Sequence, residues 1–194
     1  MIDRLARLVS NILNPFLVSV VVLIMLSFRA TSTTGDAIKW AVFTLLLSVL
    51  PVLVVAIYLL QRKKLDGLFS NPRQQRNNIY LMASIVGALG CGLLWYFDGP
   101  YLLSVTFTAG LDSIVVFMII NYFWKISLHT AFTAAAVAVI IMVYGAAVAW
   151  TSVLVVPVAW ARIQLKQHSL PQVATGGLLS AAMVVGIFWA CGVV

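Results

Sequence analysis

The sequence predicts an all-α protein, a polytopic transmembrane helical bundle of about six to seven spans with an N-terminal interfacial helix. Three observations lead there. Hydrophobic residues fill 63% of the 194 positions against 9% charged, and mean hydropathy is +1.08, so the chain has too little polar surface to coat an ordinary water-soluble globule. The apolar residues fall in successive runs of about 17 to 25, the length that crosses a hydrocarbon core roughly 30 Å thick. Only short polar or Gly/Pro-containing segments separate them, so residues 1–194 read as a single transmembrane domain.

Before Pro15, the residues Ile2, Leu5, Leu8, Val9, Ile12 and Leu13 share one helical face, while Asp3, Arg4, Arg7 and Asn11 lie elsewhere. That is the pattern of a helix lying in a membrane surface. A basic start before an apolar run also fits a signal peptide, but Arg29 interrupts any small-residue cleavage site, which favours the interfacial reading. Seven candidate spans follow, at residues 15–28, 37–60, 79–97, 101–124, 129–144, 146–162 and from 173 onward. Asp98-Gly99-Pro100 turns the chain between the third and fourth. The sixth is short and carries Pro157, which cannot donate a helical hydrogen bond.

Seven crossings return three polar segments to one side: residues 61–78, Lys125 to His129, and Arg162 to His168. A single unbroken helix from His129 to Arg162 would hold its ends roughly 50 Å apart at 1.5 Å per residue, so contact between the two histidine segments requires a hairpin. The shared face then carries Arg4, Arg7, Arg62, Lys63, Lys64, Arg73, Arg76, Lys125, Arg162 and Lys166, leaving Arg29 and Lys39 opposite. By the positive-inside rule that face is cytoplasmic. Cys91 and Cys191 lie in apolar runs with no metal or haem spacing, and read as packing residues. Asp112, deep in the fourth span, reads either as helix packing or as function.

The chemistry-bearing residues are the only two histidines, His129 and His168, each beside cations. The chain has no glutamate, and its five aspartates are scattered singly, so the carboxylate clusters that hold magnesium on diphosphates are missing. Histidines among Arg and Lys suit phosphoryl transfer without a metal, the cations neutralising phosphate oxygens while imidazole attacks or donates a proton. The residues alone leave open a lipid-phosphate binder without turnover, and a haem protein with both histidines as axial ligands.

The segments Lys125-Ile126-Ser127-Leu128-His129 and Arg162-Ile163-Gln164-Leu165-Lys166-Gln167-His168-Ser169-Leu170-Pro171-Gln172 resemble the second and third motifs of the PAP2 (type 2 phosphatidic acid phosphatase) superfamily. Those motifs read Pro-Ser-Gly-His, and Ser-Arg, five residues, His, three residues, Asp. The small residues from Ala174 to Gly177 are similar to the helix that follows the third motif. The chain departs from the pattern at Ile126, Leu128, Ala161 and Gln172, the last standing where the family has aspartate. The first motif, Lys, six residues, Arg-Pro, has Arg76 as its nearest arginine, with Phe69 at the lysine position and Asn77 at the proline; Arg73 is the alternative.

The resemblance implies a metal-independent membrane phosphatase acting on a lipid phosphate or isoprenoid diphosphate, with phosphotransfer or weak lipid-phosphate binding as the alternative. Its implied catalytic residues are His168 as nucleophile, forming a phosphohistidine, and His129 as proton donor. Arg162, Ser127, Arg76 or Arg73, and Lys125 would bind the substrate, and Gln172 would orient His168. It implies no cofactor and no metal; the expected partners are membrane lipid and an amphiphilic phosphate, with no nucleic acid.

Overall fold

The computed structural model describes residues 1–67 and 72–193, and every helix or strand assigned among them is helical. The α-helices are α1 (Ile2–Ile12), α2 (Pro15–Ala30), α3 (Thr34–Leu47), α4 (Val49–Gln61), α5 (Asn77–Tyr96), α6 (Tyr101–Asn121), α7 (Leu128–Tyr144), α8 (Val155–Gln164) and α9 (Leu170–Ala190). They fall into two compact units, residues 20–124 and residues 1–19 with 125–194. The second is discontinuous, pairing the N-terminal helix with the C-terminal third of the chain.

In the continuous unit, Thr33 caps α3, its Oγ1 accepting from the Asp36 N–H at 3.1 Å. The run 37–60 expected as one helix is broken at Ser48, whose φ of −131° and ψ of −71° leave the helical region. Pro51 explains the break, because its ring crowds the carbonyl of Leu47 four residues earlier and it supplies no N–H. Asp98, at φ 48°, and a Gly99 N–H donated to Leu94 O at 2.8 Å make the expected turn after α5. Gly90 lets α5 and α6 close up: a Cβ there would meet the Phe107 ring at 2.6 Å. Cys91 lies 3.3 Å from Thr108 Oγ1 across the same pair, as a packing residue would. Asp112 is exposed midway along α6, where it lines an open, mostly apolar groove of about 740 Å³ with Ser84, Ala88 and Val115.

In the discontinuous unit, α1 is followed by Asn14, whose Oδ1 accepts from the N–H groups of Phe16 and Leu17 at 2.9 and 3.0 Å and so caps α2. Pro15 follows as the first residue of α2, where a missing N–H costs nothing. The hairpin that contact between the histidine segments requires is present: α7 stops at Gly145, φ 85°, and the following segment packs back against it. That segment is a 3-10 helix over Ala146–Leu154 running into α8. Pro157 accounts for the handover, since the Val153 carbonyl has no N–H four residues on to receive. The tighter winding also lengthens the segment. Nine 3-10 residues at about 2.0 Å and ten α residues at 1.5 Å reach roughly 33 Å, so a run that looked short is long enough.

Among the described residues, five helices are long and apolar enough to cross a membrane: Thr34–Gln61, Gln74–Tyr96, Tyr101–Asn121, Ala146–Gln164 and Leu170–Ala190. The α1–α2 pair, bent by 40°, makes a sixth if it is one span. The segment expected as the fifth span, α7, is 17 residues, or roughly 26 Å. These helices are compatible with a multi-pass membrane protein.

α7 packs on α9 through small residues, which let backbones approach where apolar burial alone gives no preference between lipid and protein. Ser180 Oγ donates to Ala131 O at 2.8 Å, and a Cβ on Gly176 would lie 2.8 Å from both Ser127 O and Ile126 Cγ2. Gly176→Ala should therefore destabilise the detergent-solubilised protein by about 1–3 kcal/mol. Gly186→Ala, where nothing lies within 4 Å of the new Cβ, should leave it within about 1 kcal/mol of native. Thermal unfolding of the two variants side by side checks this.

Candidate functional site

The second histidine segment is built by the start of α9. Ser169 is its N-cap and Gln172 its third residue, a reciprocal capping box with Pro171 in the first turn, where no N–H is needed. Gln172 Oε1 accepts from the Ser169 N–H at 3.2 Å and lies 3.1 Å from His168 Nδ1. Because the Ser169 N–H can only donate, the carboxamide must present its oxygen, and that oxygen can only accept. Nδ1 of the neutral His168 ring therefore carries the proton and Nε2 the lone pair.

The first histidine segment is built by the start of α7. Ser127 Oγ accepts from the Thr130 N–H at 3.5 Å, and Thr130 Oγ1 donates back to Ser127 O at 3.0 Å. This cap starts the helix at Leu128 and sets His129 in its first turn, 3% exposed. Ser127 itself is fully buried and its N–H donates to Gln172 O at 3.3 Å, so both its amide and its acceptor oxygen serve the scaffold.

Two contacts register the segments on each other: the Ser127 N–H on Gln172 O, and Lys125 Nζ donating to Gln167 O at 3.1 Å. Arg162 enters from the last turn of α8, 2% exposed. Its Nη1 donates to Ser10 Oγ at 2.8 Å, and its Nη2 lies 3.5 Å from Gln167 Oε1. The chain then turns through Lys166 at φ 53°, and the N–H groups of Gln167 and His168 both reach Arg162 O, at 3.1 and 3.3 Å. Two cations and a buried imidazole of defined tautomer are thus held by one short connection. Such a group can bind an anionic oxygen and offer a nitrogen lone pair.

Lys125, Ser127, His129, Arg162, His168 and Gln172 all belong to the discontinuous unit, whereas Arg73 and Arg76 belong to the other. There, Arg73 Nη1 donates to Phe123 O at 2.6 Å, and Asn121 Nδ2 bridges Arg73 O and Asn77 Oδ1 at 3.0 and 2.8 Å. Arg73 therefore closes the C-terminal end of α6. Arg76 is buried one turn before the buried Tyr80. Phe69, at the lysine position of the first motif, lies outside the described residues. In the same unit, Asp66 Oδ1 accepts from Gln75 Nε2 at 3.0 Å. Among the described residues no three His, Cys, Asp or Glu side chains gather as metal ligands would.

Ser10 and Gln167, which flank the Arg162 guanidinium, were not singled out by the sequence. Nothing in the chain links Ser10 to a residue 152 positions away. The Ser169-x-x-Gln172 pairing, by contrast, is a capping-box signature open to inspection. No protein-family model, curated protein or solved structure matches the chain.

Nitrogen-15 NMR of His168 should show the Nδ1–H tautomer in the neutral ring. Gln172→Ala should remove that preference, and loss of the cap should lower stability by about 1 kcal/mol.

Proposed function

We propose that the protein is a metal-independent membrane phosphatase, hydrolysing a lipid phosphate or isoprenoid diphosphate through a phosphohistidine. The observation that carries this reading is the carboxamide of Gln172 accepting from His168 Nδ1, which leaves the lone pair of a neutral imidazole on Nε2. In the proposed reaction Nε2 attacks phosphorus as the phosphorus–oxygen bond to the leaving group breaks. His129 gives that oxygen its proton. Water, deprotonated by His129, then attacks the phosphohistidine, releasing phosphate and restoring both rings. Arg162 and Lys125 neutralise the phosphoryl oxygens, with Ser127 Oγ–H as a further donor. The substrate's tail stays among the apolar spans while its headgroup reaches the basic face, which the positive-inside rule makes cytoplasmic. Membrane lipid is the surrounding partner.

Gln172 also limits the rate. An amide oxygen fixes the tautomer but holds no charge to stabilise the ring as it becomes positive, and the matching Asp-to-amide change in a serine-protease triad costs about 10⁴-fold. The same feature favours a second reading, a lipid-phosphate binder with little turnover.

Phosphate release from a panel of lipid phosphates and isoprenoid diphosphates in EDTA tests the proposal. Native protein should be active, His168→Ala and His129→Ala should each lose at least about a hundredfold, and Gln172→Asp should turn over faster than native. Activity surviving both histidine substitutions, or abolished by the chelator, overturns the mechanism.

A further inference from the structure

α1 presents three faces about 120° apart, as positions on a helix of 3.6 residues per turn require. Ile2, Leu5, Leu8 and Ile12 form an apolar face, each more than half exposed. Arg4, Arg7 and Asn11 form a second, also exposed. The third, Asp3, Ala6 and Ser10, lies on α8: Ala6 is fully buried, Asp3 Oδ1 accepts from Gln164 Nε2 at 3.0 Å, and Ser10 Oγ accepts from Arg162 Nη1 at 2.8 Å. Bare hydrocarbon beside a separate arginine face fits one occupant, the boundary of a bilayer, with the arginines among anionic headgroups. The third face is not what that role alone requires. A lipid-surface helix has no need of a buried serine, 3% exposed, against a buried guanidinium.

We propose that α1 is a wall of the site and that Ser10 is a positioning residue for Arg162. Ser10 takes one arm of the guanidinium and Gln167 Oε1 stands by the other, so the fork is held between a lipid-seated helix and the residue next to His168. A buried guanidinium with a fixed acceptor on one Nη keeps a fixed plane and direction, which bidentate phosphate recognition needs. Ala6 makes this possible, since any larger side chain would hold α1 away from α8. Seating α1 in the bilayer thereby orders the arginine that meets a lipid headgroup. The inference rests on Arg162 being a phosphate ligand, as in the function proposed above.

The test uses full-length protein in phosphatidylcholine–phosphatidylglycerol vesicles. Two quantities are measured for native, Ser10→Ala, Ser10→Thr, Arg162→Ala and the Ser10→Ala/Arg162→Ala double variant: phosphate release from a lipid phosphate, and binding of its uncleavable phosphonate analogue. Ser10→Ala should weaken phosphonate binding about tenfold or more, with a matching fall in kcat/KM, because a charge-assisted hydrogen bond is lost. Ser10→Thr, which keeps the hydroxyl, should restore most of both. In the Arg162→Ala background, Ser10→Ala should cost nothing further, a coupling that a purely structural serine would not show. Native-like binding by Ser10→Ala, or equal losses with and without Arg162, overturns the inference. Ser10-dependent phosphonate binding by a native protein that releases no phosphate overturns the phosphatase reading and upholds this one.

Discussion

Three hydrogen bonds meet at Gln172, and much of the discontinuous unit is arranged by them. Its side-chain oxygen receives the Ser169 N–H and faces His168 Nδ1, and its backbone oxygen receives the Ser127 N–H. The first starts α9, the second decides which ring nitrogen keeps a lone pair, and the third holds the segment leading into α7. A helix N-terminus leaves its first N–H groups without partners in the helix, so something must accept them. Here the acceptor is also the group that orients an imidazole.

That convergence needs two backbones closer than side chains normally allow. Gly176, one turn beyond Gln172, supplies the space, because any Cβ there would collide with Ser127 O and Ile126. Ala131 and Ser180 continue the contact along the helices, with a hydroxyl on a backbone carbonyl in place of bulk. Chain length is set on the other side of the hairpin. The 3-10 stretch before α8 lets few residues cover a long distance, and it ends where Pro157 removes a hydrogen bond.

Arg162 illustrates how a charge is kept inside such a protein. Burying a guanidinium is costly unless its donors find acceptors. Two of the acceptors are Ser10 on α1 and Gln167 in the turn after α8, which hold the Nη1 and Nη2 arms and orient the guanidinium.

Composition and periodicity determined the helical class, the boundaries of α2, α6, α7 and α9 to within a few residues, and the turn at Asp98-Gly99-Pro100, because an apolar run and a Gly-Pro pair act through local chemistry. The spacing of the two histidine segments, their cations and the Ser169–Gln172 capping box are legible for the same reason: each is a relation between residues close in the chain. The breaks at Ser48 and Val155 were less legible, since a proline disturbs the turn before it while hydropathy averages across it. Only the tertiary structure decided that Arg73 closes α6, that Ser127 is committed to its helix cap and to Gln172, and that Ser10 receives Arg162. Those choices depend on which backbone atoms arrive within 3 Å from distant parts of the chain, and that is a matter of packing.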